Sequence, residues 1–318
     1  MKPVLLVDTD CGVDDAAALH LALRSSAVSV AAVTTVFGNV PLEQAVFNAG
    51  LILDTCGANV PFYRGAAAPL CGQALSAAEV HGPDGLGGIT AGLKTSPRAP
   101  EPGPAALALV RLAREHASRS PVTLVALGPL TNLALALRLD PDFPRRVARL
   151  YIMGGTSAAR GNTTGSAEFN FMSDPEAAAV VLAAGFKEVW VLPWETAVEY
   201  PIPFGEWDEL TASPAPLARF MAGSSAFTRR VLGSVFKAPG MIMADPLAMA
   251  AALNPAVVRA SSSVFAAVDT GSSAGRGLLA IDWRHPAGSA NIHIITAVHP
   301  DLLVEMCREA FNAPAGSR

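Results

Sequence analysis

What is scarce in this chain narrows its function before anything present does. Charged residues make up 16% of the 318 positions and aromatic residues 6%. The net charge is −4, and no Lys/Arg cluster exceeds a pair such as Arg145-Arg146 or Arg229-Arg230, so there is no basic surface for nucleic acid. Cys11, Cys56, Cys71 and Cys307 are the four cysteines, too widely spaced for a Cys-x-x-Cys or zinc pattern. Every alanine-rich stretch is broken by Pro, Gly or a charge, which excludes a bilayer-spanning run and any membrane partner. Met1-Lys2-Pro3 leads straight into apolar sequence with no room for a signal peptide. The expectation is a cytoplasmic protein with free thiols.

Apolar residues are abundant, at 51% of the chain, which suffices for a large core. Val4-Leu5-Leu6-Val7 is a short apolar run without alternation, the mark of a strand buried on both faces. The helix-forming residues 16–23 follow. Between them lies Asp8-Thr9-Asp10-Cys11-Gly12-Val13-Asp14-Asp15. Gly12 lets the chain turn, and Asp14 and Asp15 fall in the first helical turn, where the macrodipole favours negative charge. Four carboxylates within eight residues repel one another unless something positive sits among them. No Lys or Arg is near in sequence, so a hard divalent cation is the economical partner, Ca²⁺ or Mg²⁺ rather than zinc. The plainer alternative is helix capping and turn formation alone.

Strand and helix signals alternate along the first two-thirds of the chain, predicting an α/β fold with an open, mostly parallel Rossmann-like sheet and crossover helices. Strands are expected at residues 28–36, 122–127, 147–153 and 189–192. Helices are expected at 42–56, 105–116 and 175–184, from Thr131-Asn132, and across most of 206–236. Asp174-Pro175 and Asp245-Pro246 each read as a cap followed by proline at the first helical position. Residues 63–104 are rich in Gly and Pro and contain His81-Gly82-Pro83-Asp84-Gly85, read as a mobile flap. Residues 257–297 look like β structure before a last helix at 300–311. With no repeat and no linker, residues 1–318 are expected to form a single domain. In a parallel sheet, Asp10, Asn39, Leu127, the stretch after Met153 and Asp245 would converge on one edge.

The first motif resembles the Asp-x-Asp-x-Gly-x-Asp-Asp signature of the inosine–uridine-preferring nucleoside hydrolases. A haloacid dehalogenase-type phosphatase shares only its Asp-x-Asp. Later blocks extend the first resemblance in family order: Phe37-Gly38-Asn39 with Asn48, His81-Gly82, Leu127-Gly128-Pro129-Leu130-Thr131-Asn132, Met153-Gly154-Gly155, Gly161-Asn162, Ala167-Glu168-Phe169-Asn170 with Asp174-Pro175-Glu176-Ala177, and Asp245-Pro246. The phosphatase reading explains none of them.

The resemblance implies Ca²⁺ bound by Asp10, Asp15, the backbone carbonyl of Leu127 and Asp245, within the six to eight oxygens this ion takes. It further implies a ribose held by Asp14, Asn162, Glu168 and Asn170 beside Met153, with Asn39 next to the attacking water. The implied reaction is hydrolysis of a ribonucleoside to ribose and free base, with Asp10 as general base and a homodimer or homotetramer as the assembly. Two positions depart from the family: Cys11 stands where Pro is common, a change a small side chain should tolerate, and Ala244 is the second. Many members carry His or Trp immediately before the last metal Asp, whereas this chain has Ala244. His81 is then the best remaining proton donor, and Trp194 or Trp283 could stack on a base. His20, His116, His285, His293 and His299 have no motif around them and read as structural. The missing donor keeps a second reading open, a non-catalytic nucleoside or ribose binder.

Overall fold

The computed structural model describes residues 2–93, 96–284 and 289–312, so Met1 and His285 lie outside the described residues. A ten-stranded sheet runs through the molecule. Its strands are β1 (Val4–Thr9), β2 (Ser29–Thr35), β3 (Phe62–Arg64), β4 (Glu101–Pro104), β5 (Val122–Ala126), β6 (Arg149–Met153), β7 (Val189–Leu192), β10 (Val258–Val268), β11 (Leu279–Asp282) and β12 (Ile292–Val298). Two short strands, β8 (Ile202–Pro203) and β9 (Gly240–Met241), pair separately. The order is β11-β10-β12-β7-β6-β5-β1-β2-β3-β4. From β4 to β12 all neighbours are parallel; β10 and β11 close the far edge in antiparallel fashion.

Alternation along the strands sorts the core into two layers. Leu5 and Val7 of β1 belong to one apolar cluster, shared with the helices Val13–Arg24, Pro216–Ser234, Ala244–Leu253 and Pro300–Asn312. Leu6, Leu124 and Leu150 belong to the other, shared with the helices Ala105–Ala117, Thr131–Leu139 and Pro175–Leu182. After β1 the chain builds outward through β2, β3 and β4, then returns to place β5, β6 and β7 on the other side of β1. The crevice between β1 and β5 is therefore the switch point of the sheet, where open α/β sheets keep their ligands.

Three expectations need correction. Residues 63–104 are not a structureless loop: they include β3, β4, a short helix Ala78–His81 and a turn of 3₁₀ helix Ile89–Gly92. The polar stretch after β6 already contains a helix, Phe169–Ser173, and a further helix, Trp194–Glu199, follows β7 directly. Asp245 lies inside the first turn of Ala244–Leu253, with Met243 at the cap position, so its carboxylate does not cap the helix. Asp174 does cap, accepting from Ala177 N at 3.0 Å. No helix among the described residues is long and apolar enough to cross a membrane. Cys11, Cys56 and Cys307 are buried, while Cys71 is exposed.

Candidate active site

At the carboxyl end of β1, Asp10, Asp15 and Asp245 are buried and Asp14 is nearly so. Ligand oxygens of Asp14, Asp15 and Asp245 come within 4.8 Å of one another. Asp10 adjoins them through Asn39, whose amide nitrogen donates to Asp10 Oδ1 at 3.0 Å and to Asp15 Oδ2 at 3.1 Å. The Asn39 backbone N–H adds a bond to Asp10 Oδ2 at 2.7 Å. Asp15 also accepts from Gly12 N at 2.7 Å and from the Thr9 hydroxyl. Two glycines make the approach possible. A Cβ on Gly12 would stand 2.5 Å from Asn39 Nδ2, and one on Gly38 would overlap the Asp10 carboxylate.

Asp8 sits on the opposite face of β1 and takes no part in this group. It accepts from the Thr34 hydroxyl and, at 2.8 Å, from Asn132 Nδ2. Asn132 also donates to Thr35 O at 2.9 Å and accepts from Ala66 N at 2.9 Å, lacing the ends of β1 and β2 to the helix Thr131–Leu139.

Burial raises every one of these carboxyl pKa values, because a charge leaves water for a medium that solvates it poorly. Asp14 rises to about 6, held back by backbone N–H groups, and Asp8 to about 7. Asp10 and Asp245 rise well above the usual range, first through burial and then through their carboxylate neighbours; Asp15 rises through burial and Asp14. None of the five pairs with a Lys or Arg among the described residues. Asp14 Oδ1 is buried without a hydrogen-bond partner. Oxygen-only donors, a negative field and an orphaned carboxylate oxygen fit a hard divalent cation.

The neighbouring strand ends bring further polar side chains to the same sheet edge. Asn170 donates through Nδ2 to Leu127 O at 2.6 Å and to Met153 O at 3.2 Å, spanning the ends of β5 and β6. Glu168 caps the helix Phe169–Ser173, accepting from Asn170 N at 2.8 Å, Phe171 N at 3.1 Å and Gly155 N at 2.9 Å. Burial lifts Glu168 to about 7 against those three donors. His81 reaches the same edge from the next segment. Its Nδ1 accepts from Val13 N at 3.2 Å and lies 3.8 Å from Asp14 Oδ1, while burial lowers its pKa to about 4. Asn162 is not brought into the group: it is exposed, and its carboxamide oxygen accepts from the Thr163 hydroxyl at 3.2 Å. Trp283 follows the edge strand β11, six strands from β1.

The segment holding His81 is itself braced. Asp84 accepts from Leu86 N, Gly88 N, Thr90 N and the Thr90 hydroxyl at 2.7–2.9 Å. Asn48 Nδ2 bridges Cys11 O at 3.0 Å and Asp84 O at 2.8 Å, and the Thr228 hydroxyl donates to Val80 O at 2.8 Å. Sequence reasoning assigned no bracing to Asp84, although an Asp followed by Gly-x-Gly-Gly is the composition of a side-chain-closed turn.

The profile of the inosine-uridine preferring nucleoside hydrolases matches residues 5–305. The chain belongs to this family. "Non-specific ribonucleoside hydrolase RihC" of Escherichia coli is 43% identical over 191 residues, a match covering 59% of this chain and 60% of that one. "Probable uridine nucleosidase 2" of Oryza sativa subsp. japonica is 33% identical over 255 residues, covering 79% of this chain and 74% of its own. Among solved structures, an "Inosine-Guanosine Nucleoside Hydrolase" superposes with a TM-score of 0.91 at 32% identity over 99% of this chain and 100% of its own. The family fold thus extends from β1 to the last helix.

Proposed function

We propose that this protein hydrolyses the N-glycosidic bond of ribonucleosides to ribose and free base, with Ca²⁺ as its metal. The observation that carries the reading is the buried group of Asp10, Asp14, Asp15 and Asp245 at the switch point, which has no cation among its side-chain partners. Asp10, Asp15, Asp245 and the Leu127 carbonyl would hold the ion; Asp14, in the same group and with one oxygen unpartnered, would join them or meet a sugar hydroxyl. When bound, the ion offsets the carboxylate repulsion and makes a water easier to deprotonate. Asp10, its carboxylate fixed by the two bonds from Asn39, would take the proton of the attacking water as general base. Bond cleavage builds positive charge on the sugar, and the surrounding carboxylates stabilise it as it develops. Asn170, with Glu168 setting its helix, lines the ribose side next to Met153.

The test is reducing-sugar release from adenosine, inosine and uridine with and without EDTA. Base release abolished by chelation is expected, with 2′-deoxyadenosine poorer than adenosine by up to about 10⁴-fold. Turnover indifferent to EDTA, or equal for the two sugars, would refute the reading.

Ala244 favours a second reading. It is buried at the start of its helix beside Asp245 and offers no donor to a departing base. A protein that binds ribonucleosides without cleaving them would bind adenosine in calorimetry yet release neither hypoxanthine from inosine nor p-nitrophenolate from p-nitrophenyl riboside. A hydrolase lacking only base activation would cleave the activated riboside and leave inosine about 10²–10⁴-fold slower.

A further inference from the structure

β6 and β7 are parallel neighbours, with Met153 opposite Leu192, so the segments leaving them emerge side by side at the edge that bears the carboxylate group. After β6 the chain runs through an irregular stretch, residues 155–167, before reaching Glu168 and Asn170. Backbone N–H groups in such a stretch lack ladder partners and must find others. Here one carboxylate from the other segment takes three of them. Glu195 Oε2 accepts from Ser157 N at 2.7 Å, and Oε1 accepts from Ala158 N at 2.9 Å and Arg160 N at 3.1 Å. Trp194 N donates back to Gly155 O at 3.0 Å. Glu168 holds Gly155 N from the other side, so two carboxylates clamp the root of the loop. The second half closes on itself through Thr163 N and Thr164 N to Ala167 O, at 3.2 and 3.3 Å. It is further tied by the Thr156 hydroxyl to Ser166 O at 3.1 Å and by the Ser166 hydroxyl to Ala274 O at 3.0 Å, whereas the backbone N–H groups of the first half rest on Glu195.

We propose that Glu195 is a positioning residue that fixes residues 157–160 against the ribose-facing edge and thereby sets substrate affinity rather than turnover. The consequence for affinity rests on the hydrolase reading above; the anchoring itself does not. The carboxylate touches no group of the Asp10–Asp245 cluster, so its loss leaves the general base and the ion's donors in place. What changes is the wall between β6 and Glu168, which must otherwise be ordered each time a ribonucleoside binds.

Hydrogen exchange on the full chain reads the anchor directly. In Glu195→Ala, the amides of Ser157, Ala158 and Arg160 should exchange about ten-fold faster or more, as expected for losing hydrogen bonds to a charged acceptor. Glu195→Gln should fall between, because its amide oxygen can still accept from Ala158 and Arg160 while its NH₂ opposes the Ser157 N–H. With adenosine, KM should rise several-fold in Glu195→Ala and less in Glu195→Gln, with kcat within about two-fold and Ca²⁺ stoichiometry unchanged. Unaltered exchange in both variants overturns the anchor. Faster exchange with unaltered KM, or a fall in kcat at constant KM, overturns its role in affinity. A wild-type chain that neither cleaves nor binds any ribonucleoside removes the hydrolase reading, and with it the affinity claim, while exchange still decides the anchor.

Discussion

Asp10 and Asp245 belong to one carboxylate group although 235 positions separate them, and replacing each should have a different effect. Asp10→Ala removes both a donor for the ion and the general base, so base release should fall by about 10²–10⁴-fold or more even at saturating Ca²⁺. Asp245→Ala should chiefly weaken the ion, so raising Ca²⁺ should restore part of the activity; calorimetry of Ca²⁺ binding by both variants separates the cases. Because each deletion also relieves like-charge repulsion, neither should unfold the protein. His20 makes a different prediction. It is buried between Phe220 and Phe311, with ring centroids at 5.5 and 6.1 Å, and both ring nitrogens lack partners. Burial, helped by Arg24 on its own helix, lowers its pKa to about 3. A folded pKa below the unfolded value of about 6.5 means stability that is complete above 6.5 and drains away as pH falls towards 3. His20→Leu should remove that acid limb: chemical denaturation at pH 7 and pH 4 should show the wild type losing up to about 3 kcal/mol more than the variant.

At the scale of elements, the segment 82–92 is folded around the Asp84 side chain and tied to Asn48 through the Asp84 carbonyl. Four donors converge on Asp84, and although burial alone would raise its pKa, those bonds keep the carboxyl below its usual range. Asp84→Ala should release the segment that positions His81, with kcat/KM for inosine falling at least about ten-fold and proteolysis appearing within residues 82–92, while thermal unfolding of the rest changes little. The same elements show what the sequence could and could not reveal. Strands β1, β2, β5, β6 and β7 were legible because each is a dense apolar run, and Asp174-Pro175 announced its helix because cap and proline act locally. β3 and β4 were not: they span three and four residues, and β4 contains Pro102 and Pro104, so neither carries periodicity. Asp245-Pro246 has the same local form as Asp174-Pro175, yet its carboxylate turns to Asp14 and Asp15, a choice made by tertiary contacts. Asn162 carried a motif and lies exposed; Glu195 carried none and holds a loop, because its partners lie 35–38 residues away.

Across the whole molecule, carboxylates from the first strand–helix turn and from the last third of the chain meet at the point where strand order reverses. A ligand that fills this point should act as a staple between residues 10–15 and the last third of the chain. Ca²⁺ at a hundred times its dissociation constant should add about 2.7 kcal/mol to stability, a rise in Tm on the order of 5 °C, and EDTA should reverse it. A thermal shift insensitive to Ca²⁺ would count against the site. The distribution of thiols has a practical corollary. Three of the four are sealed inside, and the fourth, Cys71, stands open on the segment between β3 and the short helix that ends at His81. A maleimide fluorophore added to the unmodified chain would therefore settle at a single address on the segment that leads to His81, without any cysteine having to be engineered in or out.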